Sequence, residues 1–239
     1  MSTKQKFIEE HFFRPRWYSV FFNPYFINRY RLVTFIRRFA KETPPSATII
    51  DVGCGLKPYR QFFTTTSYTG IDIPGGGHAD EAKTVDAYYD GHTIPFSDHQ
   101  FDTLLCTQVL EHADDAEVLV AECARVLAPG GRAFFSMPFT YPEHEVPYDF
   151  RRFTRFEHNR LFKKHGFTDI AIYPTTGFFG TFGQLFVVWL FESLTFRAPL
   201  LKAALTAHVF APLQISALVL DRLCGGRGMT MDYVIIVKK

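Results

Sequence analysis

Charge of one sign is what this sequence has least of. Its 26 lysines and arginines against 24 aspartates and glutamates leave a net charge of +2, which gives no broad electrostatic footprint for nucleic acid. Cysteine is sparse. Cys54, Cys106, Cys123 and Cys224 form no Cys-x-x-Cys pair and have no zinc-finger spacing. That excludes a disulfide framework or small zinc module and suits a reduced, cytosolic protein. The amino-terminal segment lacks the plan of a secretory signal, because Lys4 and Lys6 are followed by Glu9 and Glu10 rather than an apolar run. The Gly-x-Gly-x-x-Gly fingerprint of nicotinamide enzymes is missing too, since Pro58 stands where its third glycine belongs.

What is there begins with length and phenylalanine. The 239 residues suit one large α/β domain, or one domain with an insertion, and can bury a sizeable core. The 27 phenylalanines cluster towards both ends.

The stretch Ala47 to Tyr59, ATIIDVGCGLKPY, organises the rest. A short apolar run bounded by glycine reads as a buried parallel strand. Gly53 and Gly55 then allow a sharp turn and close approach to a ligand, and Pro58 suits the first turn of a helix. Asp72, in SYTGIDI, ends a second strand about twenty residues on, where such folds place a carboxylate against ribose hydroxyls. Asp90 precedes Gly91, and the segments FDTLLCTQVLEH and VLAPGGRAFFSMPF follow.

Alternating strands and helices imply a parallel sheet. Strands are expected near residues 48–52, 68–72, 84–87, 103–107, 132–137, 167–173 and 232–238, and helices over 28–40, 114–127 and 155–165. Asp114 and Asp115 suit a helix start.

In order and content, DVGCG, GIDI, the Asp90-x-x-x-x-Pro-Phe segment, FDTLLCTQVLEH and VLAPGGRAFFSMPF resemble the class I S-adenosylmethionine-dependent methyltransferases. The likeness runs from about Thr48 to Phe139 and is similar to the branch acting on small molecules, including quinone precursors and sugars. The later PEHEVPYDFRRFT resembles a bacterial subgroup tied to surface glycans. The resemblance implies an α/β, Rossmann-like, seven-stranded and mostly parallel sheet with helices on both faces and an antiparallel last strand. It implies S-adenosylmethionine as cofactor and a small-molecule, glycan or lipid-linked acceptor.

Carried onto this sequence, it puts Gly53, Cys54 and Gly55 against the methionyl part and Asp51 near the cofactor's amino group or a bound water. Asp72 would accept from the ribose hydroxyls, Ile73 pack on adenine, Asp90 with Gly91 meet the adenine amine, and Thr107 and Gln108 the methionyl end. Many members have a further glycine where this chain has Lys57, which must point away or cover the cofactor carboxylate.

On the acceptor side, His112 is the first candidate base, because imidazole ordinarily titrates near neutrality. His144 is the second, with Glu111 beside them. Glu111, Glu143, His144, Glu145 and Asp149 follow no dedicated metal motif, so no metal is expected. Arg151 and Arg152 either meet an anionic acceptor or fasten their loop.

Residues 1–46 read as a helical lid region, 47–174 with 230–239 as the core, and 175–229 as an apolar helical insertion between strands six and seven. That insertion exceeds any ordinary loop. Ala203 to Leu220 carries no Asp, Glu, Lys or Arg, at the threshold for a membrane span, and Arg197, Lys202, Arg222 and Arg227 flank the apolar pieces. Three readings stay open: a helical pair covering the core or acceptor pocket, an in-plane element contacting a membrane surface, and a true span or dimer face.

Overall fold

The computed structural model describes residues 3–75, 84–194, 199–225 and 228–239. Its sheet has seven strands: β1 Ile49–Val52, β2 Tyr68–Asp72, β3 Ala87–Tyr88, β4 Phe101–Thr107, β5 Leu127–Pro138, β6 Thr168–Pro174 and β7 Asp232–Lys238. Their order is β3-β2-β1-β4-β5-β7-β6. The central pairings are parallel, with Ile49 opposite both Tyr68 and Thr103. All four residues of β1 are buried, as a strand covered on both faces requires. β7 runs antiparallel between β5 and β6. The expected fold is the observed one, with the strand order reversing beside β1, where open α/β sheets bind ligands beyond their carboxyl ends.

Three helices accompany these strands: α2 Phe26–Lys41, α3 Ala116–Val126 and α4 Arg155–Lys164. α3 begins where the paired acids suggested. Asp115 is its N-cap, and its Oδ1 accepts from the N–H groups of Glu117 (2.9 Å) and Val118 (3.1 Å), satisfying two donors a helix start leaves unpaired.

Two expectations need correction. No α-helix follows Pro58; there is one 3₁₀ turn, Arg60–Phe62. Lys57 at φ 51° breaks the helical path, and Phe62 to Thr66 are β-branched or aromatic residues with poor helix propensity. The third strand is shorter than expected and starts at Ala87, with Thr84 and Val85 outside it.

The chain divides into two compact units. One comprises residues 36–173 and 233–239, the other 1–35 and 174–232, with a boundary inside α2. The first holds the large core, in which Ile50, Val52, Leu104, Cys106, Phe135 and Ile235 are fully buried.

The second contains α1 Thr3–Ile8, α5 Phe178–Ser193, α6 Pro199–Leu205 and α7 Ala211–Cys224, a π-helical stretch at Thr206–Phe210 joining the last two. Arg197 and Arg227 lie outside the described residues. α5 and α7 pack closely through small residues, because a Cβ on Gly183 would stand 2.6 Å from the Ala217 Cβ. Two buried glutamines bind this pair to the amino-terminal segment. Gln214 Oε1 accepts from Ile27 N–H (3.3 Å) and its Nε2 donates to the Asn23 carbonyl (3.2 Å). Gln184 Oε1 accepts from Asn28 N–H (3.2 Å) and its Nε2 donates to the Pro24 carbonyl (2.7 Å). Ile27 and Asn28 lie in the first turn of α2, whose N–H groups have no partner within the helix.

Candidate active site

The glycine turn after β1 is built as the sequence suggested. Gly53 has φ 70° and a Cβ there would meet Val109 Cγ2 at 2.3 Å, so only glycine fits on both backbone and packing grounds. Gly55 has φ 49°, and its Cβ position faces open space. The backbone N–H groups of Gly53 and Cys54 both donate to the Ile71 carbonyl, at 2.9 and 3.0 Å. Cys54 is buried, and burial pushes its thiol well above the ordinary range, so it fills space and is no nucleophile.

Asp72 joins this turn to β2. Its Oδ2 accepts from Gly55 N–H at 2.8 Å and its Oδ1 from Ile73 N–H at 2.8 Å. These bonds fix the carboxylate plane. Ile73 packs at the core edge, 3.6 Å from where a Gly91 Cβ would stand. Beside Gly91, which has φ 86°, Asp90 Oδ1 accepts from the N–H groups of His92 (2.8 Å) and Thr93 (2.6 Å). These bonds hold its carboxyl below the ordinary range. Gly55, Asp72, Ile73 and Gly91 are thus contiguous.

Asp51 is buried, with its Oδ2 accepting from the Tyr68 hydroxyl at 2.6 Å. Burial raises its carboxyl to about 7, opposed by that hydrogen bond. Lys57 points away from the turn: its Nζ donates to Asp86 Oδ2 at 2.5 Å, and its side chain crosses Gly70, where a Cβ would meet Lys57 Cε at 2.2 Å. At the end of β4, Thr107 pairs with Ser136 of β5. Gln108, at φ 56°, donates from its backbone N–H to the Ser136 carbonyl (3.0 Å) and from Nε2 to Ser136 Oγ (3.1 Å).

A second cluster lies after β4 and β5. His112 Nδ1 donates to the Tyr148 carbonyl at 2.8 Å. That assigns the hydrogen to Nδ1 and leaves Nε2 as the acceptor. Nε2 lies 3.8 Å from Glu111 Oε1 and 3.9 Å from Glu145 Oε2. Glu111 is fully buried, and its carbonyl accepts from Phe150 N–H at 2.9 Å.

The His144 ring stands edge-on to His112, centroids 4.9 Å apart, with its Nδ1 3.1 Å from Asp149 Oδ2. Burial holds the His144 imidazole below its ordinary range. Asp149 is gripped by both Nη atoms of Arg152, which hold its carboxyl down at about 2. Arg151 bonds the carbonyls of Ala113 and Asp114. Both arginines therefore fasten the loop. Glu111, His112 and His144 each bring one ligating atom within 4.8 Å of the others, a mixed oxygen and nitrogen set that suits a divalent cation on donor chemistry.

Residues 50–135 match the family model described as a methyltransferase domain. That stretch holds the glycine turn after β1, Asp72 and Asp90. Over 100 residues the chain is 35% identical to a ubiquinone biosynthesis O-methyltransferase of Paracidovorax citrulli, covering 37% of this chain and 42% of that one. The chain thus spans about two fifths of the length of the curated relatives it matches. Among solved structures, an S-adenosylmethionine-dependent methyltransferase of Archaeoglobus fulgidus superposes with a TM-score of 0.57 at 15% identity, covering all of both chains. The [4+2]-cyclase SpnF superposes with a TM-score of 0.56 at 14% identity, over 89% of this chain and 81% of that one. At such identities the likeness is one of fold alone.

The turn after β1 and the end of β2 fit S-adenosylmethionine on their own geometry. An open position at Gly55, a carboxylate held in plane at Asp72 and an apolar ledge at Ile73 follow one another in space. Sequence reasoning missed Tyr68, Asp86 and Ser136. Tyr68 lies inside SYTGIDI and Ser136 inside VLAPGGRAFFSMPF, with Asp86 outside both, but each is placed by pairing between strands or by a contact well removed in sequence.

Proposed function

We propose that the protein transfers a methyl group from S-adenosylmethionine to a hydroxyl of a small-molecule acceptor, either lipid-linked or carried on a glycan, in a reducing, cytoplasmic compartment. The observation that carries this reading is the orientation of His112. Its Nδ1–H is committed to the Tyr148 carbonyl, so Nε2 is the acceptor, as a general base requires. The cofactor supplies an electrophilic methyl group on a sulfonium. Gly53, Gly55, Asp72, Ile73, Asp90, Gly91, Thr107 and Gln108 would hold it, with buried Asp51 supporting the turn. An acceptor hydroxyl donates its proton to His112 Nε2 as its oxygen bonds the methyl carbon and the carbon–sulfur bond breaks. Buried Glu111 favours the resulting imidazolium, and His144 lines the same space. The O-methyltransferase named above supports a hydroxyl acceptor.

A second reading has a specific observation behind it. The cyclase with this fold means the framework also serves chemistry other than methyl transfer, which admits a protein that binds cofactor without turning it over.

The test is formation of S-adenosylhomocysteine with a panel of hydroxylated acceptors, for wild type and His112→Ala. The expected result is turnover in wild type and a fall in kcat of about 10²–10⁴ in the variant, with cofactor affinity unchanged. Cofactor binding without turnover on any acceptor favours the second reading. Loss of turnover on chelation moves Glu111, His112 and His144 from base to cation ligands.

A further inference from the structure

The unit formed by residues 1–35 and 174–232 carries features that methyl transfer does not use. The first is charge. By sequence this unit holds ten lysines and arginines against five aspartates and glutamates, a net +5, whereas the remaining residues hold 16 against 19, a net −3. A near-neutral chain is thus strongly divided.

The second is tryptophan. The chain has two, Trp17 and Trp189, and both lie in this unit, 70% and 63% exposed. Tryptophan is ordinarily well buried in water-soluble folds and is enriched where a bilayer meets water.

The third is an unpartnered apolar face. On α5, Phe178, Phe182, Phe186 and Trp189 are exposed and fall at successive helical turns, forming one stripe. Gly180, Gln184 and Val187 on the opposite side are buried. The helical stretch Pro199–Cys224 is long and apolar enough to cross a membrane, yet only 28% of its most apolar window is buried. Leu200 and Leu223 near its ends are 86% and 75% exposed.

We propose that this unit is a docking surface for an anionic lipid bilayer, lying in the headgroup plane with Trp17, Trp189 and the leucines of α6 and α7 inserted. Charge decides the occupant. A second copy placed on the same face would bring together two units of net charge +5, whereas anionic headgroups neutralise them.

Hydrogen bonding decides the depth. Gln184 and Gln214 are tied to backbone groups of residues 23–28, and Asp221 Oδ2 accepts from Gly177 N–H at the start of α5 (2.7 Å). A spanning α7 would break these bonds where hydrocarbon offers no replacement. A helical pair held in plane keeps them. The proposal is independent of the acceptor's identity and of turnover.

The experiment uses the full chain and its own two tryptophans. Their emission is followed on adding vesicles of phosphatidylcholine alone, or of phosphatidylcholine with phosphatidylglycerol, and flotation is scored in parallel. The account expects a blue shift and flotation with phosphatidylglycerol vesicles, weakened by salt and small with phosphatidylcholine alone. Quenching by bromine on the upper acyl chain should exceed that by bromine near its end. A Leu200→Asp, Leu223→Asp variant, altered only at exposed positions, should bind roughly tenfold more weakly with its circular dichroism unchanged. Four results would overturn the proposal: no shift or flotation with either vesicle; equal binding by the variant; a concentration-dependent shift without lipid, which marks a self-associating face; or retention through alkaline carbonate extraction, which marks a span.

Discussion

His158 sits fully buried on α4, its ring within 5.6–5.8 Å of Phe153 and Tyr233, and neither ring nitrogen has a hydrogen-bond partner among the described residues. Burial holds it down at about 4, from an ordinary 6.5. The folded protein therefore keeps this imidazole neutral where the unfolded chain protonates it. The contribution of this residue to stability falls as pH drops from about 6.5 towards about 4 and levels off below. The expected loss from this residue is about 2 kcal/mol between about pH 7 and about pH 5. Asp51, raised to about 7, contributes in the opposite direction over this range, so the loss is read by urea unfolding at both values as the difference in pH dependence between wild type and His158→Leu. At this scale the local geometry of Gly53, Asp72 and Asp90 was legible, because they sit at or just beyond strand ends, where backbone chemistry fixes them. The fate of Lys57 was not. Its partner Asp86 lies 29 residues away, beyond a segment with no regular pattern. Asp51 showed the same limit, because the Tyr68 phenol that occupies it comes from the neighbouring strand.

Elements were legible where periodicity or capping was strong. α3 and its Asp115 cap, the loop after β5 and the last strand all lie within a few residues of where pattern placed them. The helix expected after Pro58 failed because proline at a helix start is permissive and does not outweigh a left-handed Lys57 and a β-branched run. The turn before it is where a small change matters. Gly53→Ala adds a methyl group 2.3 Å from Val109 Cγ2 at φ 70° and should cost about 1–3 kcal/mol. Its urea midpoint should fall, and adding Val109→Ala should restore only the packing part. In the apolar unit, Gln214→Leu strands the Ile27 N–H and the Asn23 carbonyl, at a cost of about 1–3 kcal/mol. Hydrogen exchange at Ile27 should accelerate accordingly. Neither glutamine role could be foreseen, since each joins residues more than 150 positions apart.

For the whole molecule, the mostly parallel sheet followed from alternating strands and helices, and the antiparallel last strand was what the family resemblance implied. Less legible was that residues 1–35 and 174–232 share one compact unit. The sequence separates them by more than a hundred residues, and their pairing shows only in space, in the buried glutamine hydrogen bonds and an apolar cluster of Val20, Phe26, Ile27, Ala211 and Ala217. The same division exposes the charge asymmetry that the net +2 conceals.

The central claim is that the turn after β1 and the carboxylate at the end of β2 hold S-adenosylmethionine. Calorimetric titration of that cofactor into wild type and Asp72→Ala tests it most directly. The account predicts saturable binding in wild type, weakened by a hundredfold or more in the variant, at about 3 kcal/mol for a charge-assisted contact pair. Equal affinity in both proteins, or no binding to a folded wild type, would contradict it.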